Sequence, residues 1–132
     1  MSTKRLEIRL AGSGGQGLVL AGIILAEAAI LYDNKNAVQT QSYGPEARGG
    51  ASKSEVIISD EQIDYPKCEE IDIMLCLNQK SLNEYVHALK KGGVLIVDTD
   101  LCPTIPEGEF NLYKVPFTKL AREELGLSLI HI

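Results

Sequence analysis

The sequence predicts an α/β fold in which helices cover both faces of a mostly parallel sheet. A glycine-rich segment, 12–17, lies between an alternating segment and a long apolar one, as a strand-to-helix turn does. Two continuous apolar runs, 71–77 and 94–97, flank a segment with helical spacing, which is typical of a βαβ unit with buried strands. Because the chain has 132 residues, we expect one domain.

The first half of the chain is predicted to contain three strands and one helix. Segment 6–10 alternates between apolar and charged residues, which predicts a strand. Segment 18–31 is apolar on nearly every face and predicts a helix buried against the sheet. Segments 37–42 and 52–59 predict the second and third strands. The connection between them is too short for a crossover helix, so we expect an antiparallel pair in this region.

The second half is predicted to alternate between helices and strands. Segment 82–89 has helical spacing, residues 81–84 fit a capping box that begins at Ser81, and Gly92-Gly93 fits a helix stop. Beyond two prolines, segment 112–115 predicts a weak strand and segment 117–125 a short amphipathic helix.

Composition excludes several classes of function. The chain has 13 basic and 18 acidic residues, and its net charge of −5 argues against nucleic acid or an anionic membrane as the main partner. No apolar stretch reaches the roughly 18 residues that suggest a membrane span. Cys68, Cys76 and Cys102 form no CxxC pair and no iron–sulfur ligand run, so we interpret them as reduced thiols of a cytoplasmic protein.

The glycine-rich turn is the first candidate binding site, because its backbone amides can bind a phosphate at a helix N-terminus. It satisfies GxGxxG, a fingerprint of Rossmann-like dinucleotide sites. A NAD site also needs an acid about 20 residues further on, and the second strand ends without one. The turn could therefore serve another phosphate-bearing ligand, a packed interface, a purely structural bend or NAD. Its residues are Gly12, Ser13, Gly14, Gly15, Gln16 and Gly17.

A second candidate constellation spans 43–50 and contains Tyr43, Glu46 and Arg48. An arginine flanked by small residues can offer its guanidinium to a phosphate or carboxylate as a fork. The alternative is a surface ion pair between Glu46 and Arg48. Asn78 and Gln79 follow the 71–77 strand, so we expect them along the same sheet edge as the glycine turn.

Catalytic machinery is missing from the rest of the sequence. His87 and His131 are isolated, and no carboxylate pair, metal-ligand cluster or activated nucleophile appears. On these grounds the chain is a binding module rather than a complete enzyme.

Together, residues 12–17, the apolar helix after them and segments 39–52 and 54–59 resemble the gamma subunit of 2-oxoacid:ferredoxin oxidoreductases. The pairing of GSGGQG with SYGPEARGG is far more specific than either motif alone. The resemblance covers residues 5 to about 126, and the second motif is most similar to the 2-oxoglutarate type.

The resemblance implies a holoenzyme that decarboxylates a 2-oxoacid on thiamine diphosphate, passes electrons through iron–sulfur clusters to ferredoxin and forms an acyl-CoA. Thiamine diphosphate, its magnesium ion and the clusters belong to partner subunits. This chain is expected to supply an interface and part of the coenzyme A site, with CoA phosphates at the turn 12–17 and Arg48 nearby. The rival hypotheses are a stand-alone nucleotide-binding oxidoreductase domain and a purely structural assembly domain.

The C-terminal end departs from the family pattern. Gamma subunits usually continue well beyond the helix that ends near Gly126, so we interpret 1–126 as a gamma-type domain that is truncated at its C-terminus. Residues 127–132 resemble a non-native tail. A truncated domain should expose apolar surface where its missing packing partners belong.

Overall fold

The computed structural model describes residues 5–13, 17–43, 52–65 and 67–124. The predicted tail, 127–132, and the predicted helix end near Gly126 lie outside them. In chain order the elements are β1 (Arg5–Gly12), α1 (Leu18–Asp33), β2 (Asn36–Tyr43), β3 (Ser52–Ser59), β4 (Ile71–Cys76), α2 (Gln79–Tyr85), a 3₁₀ turn (Val86–Ala88), β5 (Leu89–Asp98), β6 (Asn111–Val115) and α3 (Phe117–Glu124).

The strands form a six-stranded sheet in the order β2-β3-β1-β4-β5-β6. Only β3 among these strands runs against its neighbours, pairing antiparallel with both β2 and β1, while β1-β4, β4-β5 and β5-β6 are parallel ladders. The mostly parallel α/β sheet is therefore confirmed, and so is the antiparallel pairing expected near β2 and β3.

Side-chain alternation along β1 and β4 divides the core into two layers. Ile8 and Leu10 of β1 pack with Leu18 and Ala26 of α1 on one face. On the other face, Ala11 packs with Leu82 of α2, together with Met74, Cys76, Leu95, Val97 and Cys102. Phe117 of α3 packs against the α1 layer. Helices thus cover both faces, as predicted.

Helix α1 lies very close to the sheet at Gly22. A Cβ atom at this position would overlap Ser54 Oγ and would lie 3.2 Å from Gln39 Cγ. Ser54 is fully buried in β3, and its hydroxyl accepts a hydrogen bond of 3.0 Å from Gln39 Nε2. A residue without a side chain is therefore required where α1 crosses β2 and β3.

The outer face of α1 is apolar and exposed. Leu31 and Tyr32 are 72% and 84% exposed, and Leu20 and Ile24 are each more than half exposed. A helix that is apolar on all sides is typical of a buried element. The other described elements therefore leave an apolar face of α1 uncovered. No helix among the described residues is long and apolar enough to cross a membrane.

The start of α2 corrects one prediction. Asn78, not Ser81, caps the helix: Asn78 Oδ1 accepts a hydrogen bond of 2.9 Å from Ser81 N. Ser81 Oγ instead donates to the backbone oxygen of Asn78, also at 2.9 Å, from a fully buried position. Two residues can cap this segment, and the earlier one does so because its side chain reaches the third amide of the helix.

The end of α2 corrects another prediction. The helix ends at Tyr85, and Leu89 already begins β5. Gly92-Gly93 lies inside β5, where the ladder with β4 shifts register between Ile71 and Ile73. Gly92 has φ +83°, and a Cβ on Gly93 would come within 3.0 Å of the backbone oxygen of Asp72. The glycine pair therefore allows a bulge against β4 and does not stop a helix.

Asp98 at the end of β5 connects the last elements to the sheet. It is fully buried, and Oδ1 accepts hydrogen bonds from the amides of Asp100 and Leu101 at 2.9 and 3.1 Å. Its other oxygen accepts from both the amide and the hydroxyl of Thr118, each at 3.0 Å. These contacts hold the turn after β5 and the first turn of α3 in place.

Candidate functional site

The described borders of the two motifs singled out in the sequence meet at one edge of the sheet. Gly12, the last residue of β1, pairs with Ser52, the first residue of β3, and Ser52 pairs with Tyr43, the last residue of β2. The same edge holds the carboxyl end of β4, where Asn78 and Gln79 follow. In α/β sheets the carboxyl edge is the usual place for ligands.

The described part of the glycine-rich turn shows why its last residue is glycine. Gly17 is the N-cap of α1 and has φ +79°, a left-handed conformation that residues with a side chain rarely adopt. It makes no side-chain hydrogen bond to the helix, and the first turn of α1 has no acidic residue. Neither the cap residue nor the first turn of α1 therefore supplies a side chain that offsets the positive end of the helix dipole. Gly14, Gly15 and Gln16 lie outside the described residues, while Ser13 is half-buried beside Gly12.

The second motif is described only at its borders. The backbone of Tyr43 ends β2, and its side chain lies outside the described part of the structure, as do Glu46 and Arg48. The pairing of Tyr43 with Ser52 nonetheless fixes both ends of segment 44–51 at the edge where β1 ends.

Asn78 and Gln79 lie at the predicted edge and have structural tasks there. Asn78 caps α2 as described above. Gln79 Nε2 donates to the backbone oxygen of Thr104 and to Asn83 Oδ1, both at 2.8 Å. Gln79 Oε1 accepts from the amide of Thr104 at 2.9 Å. These bonds hold Thr104 against the start of α2, and a role for either side chain in ligand binding stays a prediction.

A charged cluster near this edge was not predicted from the sequence. Arg9 of β1 is buried, and its Nε and Nη2 lie 2.6 and 2.5 Å from Glu55 Oε2 of β3. Lys53 Nζ lies 3.7 Å from the same oxygen. Both cations face the ring of Tyr85 in α2, with 5.3 Å from Arg9 Cζ and 5.5 Å from Lys53 Nζ to the ring centroid. In the sequence these residues are visible only as charges at alternating positions of two strands. Which charges face each other depends on the register between β1 and β3, which the sequence does not give.

A cavity of about 430 Å³ lies at the opposite, amino edge of the sheet. Glu7 accepts hydrogen bonds from the amides of Glu69 and Glu70 at 2.7 and 3.0 Å and pairs with Arg5 at 2.8 Å. Asp72 pairs with Lys90 at 2.6 Å, and this hydrogen bond raises the pKa of Lys90. Four of the charged side chains around the cavity, those of Arg5, Glu7, Asp72 and Lys90, are thus paired. Its lining residues are Arg5, Glu7, Glu69, Glu70, Asp72 and Lys90.

The cysteines provide no nucleophile. Burial raises the pKa of the Cys68 and Cys76 thiols to about 12 and that of Cys102 to about 11. A protonated thiol is a poor nucleophile and a poor metal ligand. All three are free thiols, and Cys102 Sγ donates to the backbone oxygen of Cys76 at 3.4 Å. Within the described ranges, no group of three or more His, Cys, Asp or Glu side chains could hold a metal ion.

Three comparisons with known proteins agree with this architecture. The family model described as pyruvate ferredoxin/flavodoxin oxidoreductase matches residues 7–131. The 2-oxoglutarate synthase subunit KorC of Methanocaldococcus jannaschii is 59% identical over 128 residues, which is 96% of this chain and 68% of that protein. The same subunit of Methanothermobacter marburgensis is 50% identical over 132 residues, covering 96% of this chain and 71% of that protein.

Solved structures give the same result. The keto/oxoacid ferredoxin oxidoreductase gamma subunit of Geobacter sulfurreducens superposes with a TM-score of 0.87 and 48% identity, covering 97% of this chain and 70% of that one. The 2-oxoglutarate:ferredoxin oxidoreductase of Magnetococcus marinus, solved with coenzyme A bound, superposes with a TM-score of 0.79 over 98% of this chain and 22% of that one. Because the identity is only 22%, this superposition shows a shared fold and no more. The chain belongs to the pyruvate ferredoxin/flavodoxin oxidoreductase family, and its resemblance to the gamma subunits is confirmed.

Proposed function

We propose that the chain is a non-catalytic gamma subunit of a 2-oxoglutarate:ferredoxin oxidoreductase, which provides an interface and part of the coenzyme A site. The type of oxoacid is supported by the gradient of identity among relatives. Identity is 59% and 50% with 2-oxoglutarate synthase subunits but 33% with a ketoisovalerate oxidoreductase subunit and 32% with a pyruvate synthase subunit.

The observation that carries the coenzyme A proposal is that Gly12, Tyr43 and Ser52, at the borders of both motifs, share the sheet edge from which the chain enters α1. CoA is an anion with several phosphate groups, and helix N-termini bind phosphates through backbone amides and the helix dipole. The left-handed Gly17 begins this helix without a side-chain cap or an acidic first turn, which fits an anionic ligand. Gly12 to Gly17 would contact the phosphates, and Arg48 would add a guanidinium fork.

The rest of the chemistry belongs to partner subunits in this proposal. Thiamine diphosphate with its magnesium ion supplies the decarboxylation, and iron–sulfur clusters carry the electrons to ferredoxin. The sequence has no CxxC pair or cluster ligand run, and its described thiols have raised pKa values. This chain orients CoA, through the turn 12–17 and Arg48, for transfer of the acyl group. The complex works in the cytoplasm.

The exposed apolar face of α1 supports the interface role. Side chains such as Leu31 and Tyr32 stay largely uncovered in the isolated chain. Contiguous exposed apolar surface is typical of protein–protein contacts. We expect partner subunits to cover this face in the assembled enzyme.

The test is CoA-dependent reduction of ferredoxin by 2-oxoglutarate, measured on the complex purified from the native host. Gly14→Val and Arg48→Met should each raise the KM for CoA about tenfold, the loss expected from one charge-assisted contact or one blocked turn. Arg122→Met, at an exposed position of α3, is the matched control and should leave this KM unchanged.

Other outcomes identify the rival functions. If Gly14→Val and Arg48→Met weaken assembly but leave CoA kinetics unchanged, the two motifs form an interface and the chain is a structural assembly domain. If the chain purifies alone and inactive and then binds NADH in a direct titration, it is a stand-alone nucleotide-binding domain. The absence of an acid in Gln39-Thr-Gln-Ser42 argues against that result.

A further inference from the structure

The outer face of α1 carries a regular row of exposed side chains. Leu20, Ile24, Glu27 and Leu31 follow one another in steps of four, three and four residues, which places them in line along the helix. The three apolar members are 53%, 56% and 72% exposed in that order, and Glu27 among them is exposed as well. The buried residues of α1 lie at other positions and face the sheet. We call these four exposed residues the α1 row.

The spacing of the α1 row favours a second helix as its occupant. Apolar residues that recur in alternating steps of four and three form the seam along which two helices pack their side chains between each other. A lipid surface fits this face less well, because the chain has a net charge of −5 and α1 contains the acids Glu27 and Asp33 but no basic residue. The α1 row is therefore suited to a packed protein helix.

Glu27 determines what the docked helix must carry. Among the residues that the structure describes, none forms an ion pair with the Glu27 carboxylate. An apolar surface that covered this carboxylate would remove its water without replacing it, which is unfavourable. A lysine or arginine on the occupant would pair with the carboxylate and compensate for the lost water. A second copy packed with its own α1 against this row cannot supply that cation, because α1 has no basic residue.

We propose that the α1 row docks a helix of a partner subunit, with a lysine or arginine of that helix opposite Glu27. This inference rests on the proposed function, which makes the chain one subunit of a larger complex and gives α1 an interface role. The apolar residues on both sides of Glu27 supply contact area, and the ion pair fixes the register of the two helices. Because the chain as a whole is acidic, a basic surface on the partner also favours the encounter of the two subunits.

The experiment is a competition for assembly. A variant and the original chain are produced together, in excess over the partner subunits, and the complex is purified through a tag on a partner subunit. Mass spectrometry of the peptide that contains the changed residue then gives the ratio of the two chains in the complex. Glu27→Leu makes the row entirely apolar but leaves the partner's cation without its carboxylate, and Glu27→Gln keeps the shape without the charge. The matched control is Glu107→Leu, which removes an exposed acid close to Ile105, on the side of the sheet that α2 covers.

The two helices should be held together by the charge and not by apolar contact alone. We expect Glu27→Leu to enter the complex about tenfold less than the original chain, as for an interfacial ion pair that loses one partner. Glu27→Gln should enter about threefold less, because its amide keeps a hydrogen bond but no charge. Glu107→Leu should enter as often as the original. A photoreactive benzophenone amino acid introduced at Ala28, exposed next to Glu27, should crosslink the chain to a partner subunit.

The outcomes separate this inference from the proposed function. If Glu27→Leu enters the complex as often as the original or more often, no cation lies opposite Glu27 and the inference is overturned. A crosslink from position 28 within this chain or to a second copy overturns it as well. If Glu27→Leu fails to fold, Glu27→Gln decides, and its equal incorporation has the same meaning. A complex that excludes Glu27→Leu but shows no CoA-dependent reduction of ferredoxin by 2-oxoglutarate supports the docked helix and contradicts the proposed function.

Discussion

Replacing Gly22 by alanine should destabilise the chain although alanine is the better helix former. In an exposed helix this change gains about 1 kcal/mol. Here the new methyl group would overlap Ser54 Oγ and crowd Gln39 Cγ at 3.2 Å. Ser54 is fully buried and hydrogen-bonded to Gln39 Nε2, so its hydroxyl has no free space to move into. Overpacking of this kind costs about 1–3 kcal/mol.

The cost is larger than the gain because the shift spreads along α1. To admit the methyl group the helix must move away from β3, which loosens the contacts of Leu18 and Ala26 with Val56. We expect a net loss of about 1–2 kcal/mol in the free energy of unfolding. Urea unfolding of the isolated chain, followed by circular dichroism in the far ultraviolet, measures this loss.

A double-mutant cycle tests the reason for the loss. Ser54→Ala removes the overlapping oxygen and by itself should cost about 0.5–1.5 kcal/mol through the lost hydrogen bond with Gln39. In the Ser54→Ala background, Gly22→Ala should cost much less than it does alone, giving a coupling of about 1 kcal/mol or more. If Gly22→Ala instead stabilises the chain by the helix-propensity gain, α1 lies farther from β3 than the contact of Gly22 with Ser54 requires.

Three other perturbations follow from the fold. Asp98→Ala should lower the free energy of unfolding by about 2–4 kcal/mol in urea titrations, because four donors lose their buried acceptor, whereas Asp100→Ala on the exposed turn should be nearly neutral. The buried Cys76 thiol has a pKa of about 12 against an ordinary value of 9.0, so the unfolded chain loses this proton first. Its contribution to stability is constant below pH 9 and falls as pH rises from 9 towards 12. In Cys76→Ala the free energy of unfolding, measured by urea titration, should fall less steeply as the pH rises above 9. An unchanged pH dependence would contradict the burial argument. Ile24→Glu on the exposed face of α1 should keep the free energy of unfolding within about 0.5 kcal/mol of the original value but reduce co-purification of partner subunits. Tyr65→Glu, elsewhere on the surface, should leave co-purification unchanged.

Local patterns were sufficient for most elements because strands and helices here have clear periodicity. Strand β3 has the predicted bounds, Ser52–Ser59, and a bend at Asp60 follows it directly. The region from Asn78 to Gly93 was less accurate. Leu89 continues the helical spacing of α2, yet it pairs with Ile71 in the sheet. The decision between helix and strand at Leu89 is therefore made by a partner 18 positions earlier in the chain.

The site was predictable to the extent that single segments carry it. The turn 12–17 and the segment 43–50 could be recognised from their own residues. Lys53 and Glu55 could not, because their meaning depends on pairing with Ala11 and Arg9 across the sheet. Gln79 was placed at this edge from the sequence, but its hydrogen bonds to Thr104, 25 residues further along the chain, could not be predicted. Residues whose role depends on a cross-strand register are the ones that sequence analysis missed.

The reversed direction of β3 explains why the described borders of the two motifs share one edge. If β2 and β3 were parallel, the connection between them would have to cross from the carboxyl edge back to the amino edge, and Ser52 would lie away from Gly12. Because β3 is antiparallel, the chain leaves β2 at Tyr43 and re-enters at Ser52, directly opposite. The pairing of Ser52 with Gly12 then places Tyr43 and Ser52 at the edge where β1 ends. An antiparallel strand inside a largely parallel sheet is therefore the feature of the fold that brings Gly12, Tyr43 and Ser52 to one edge.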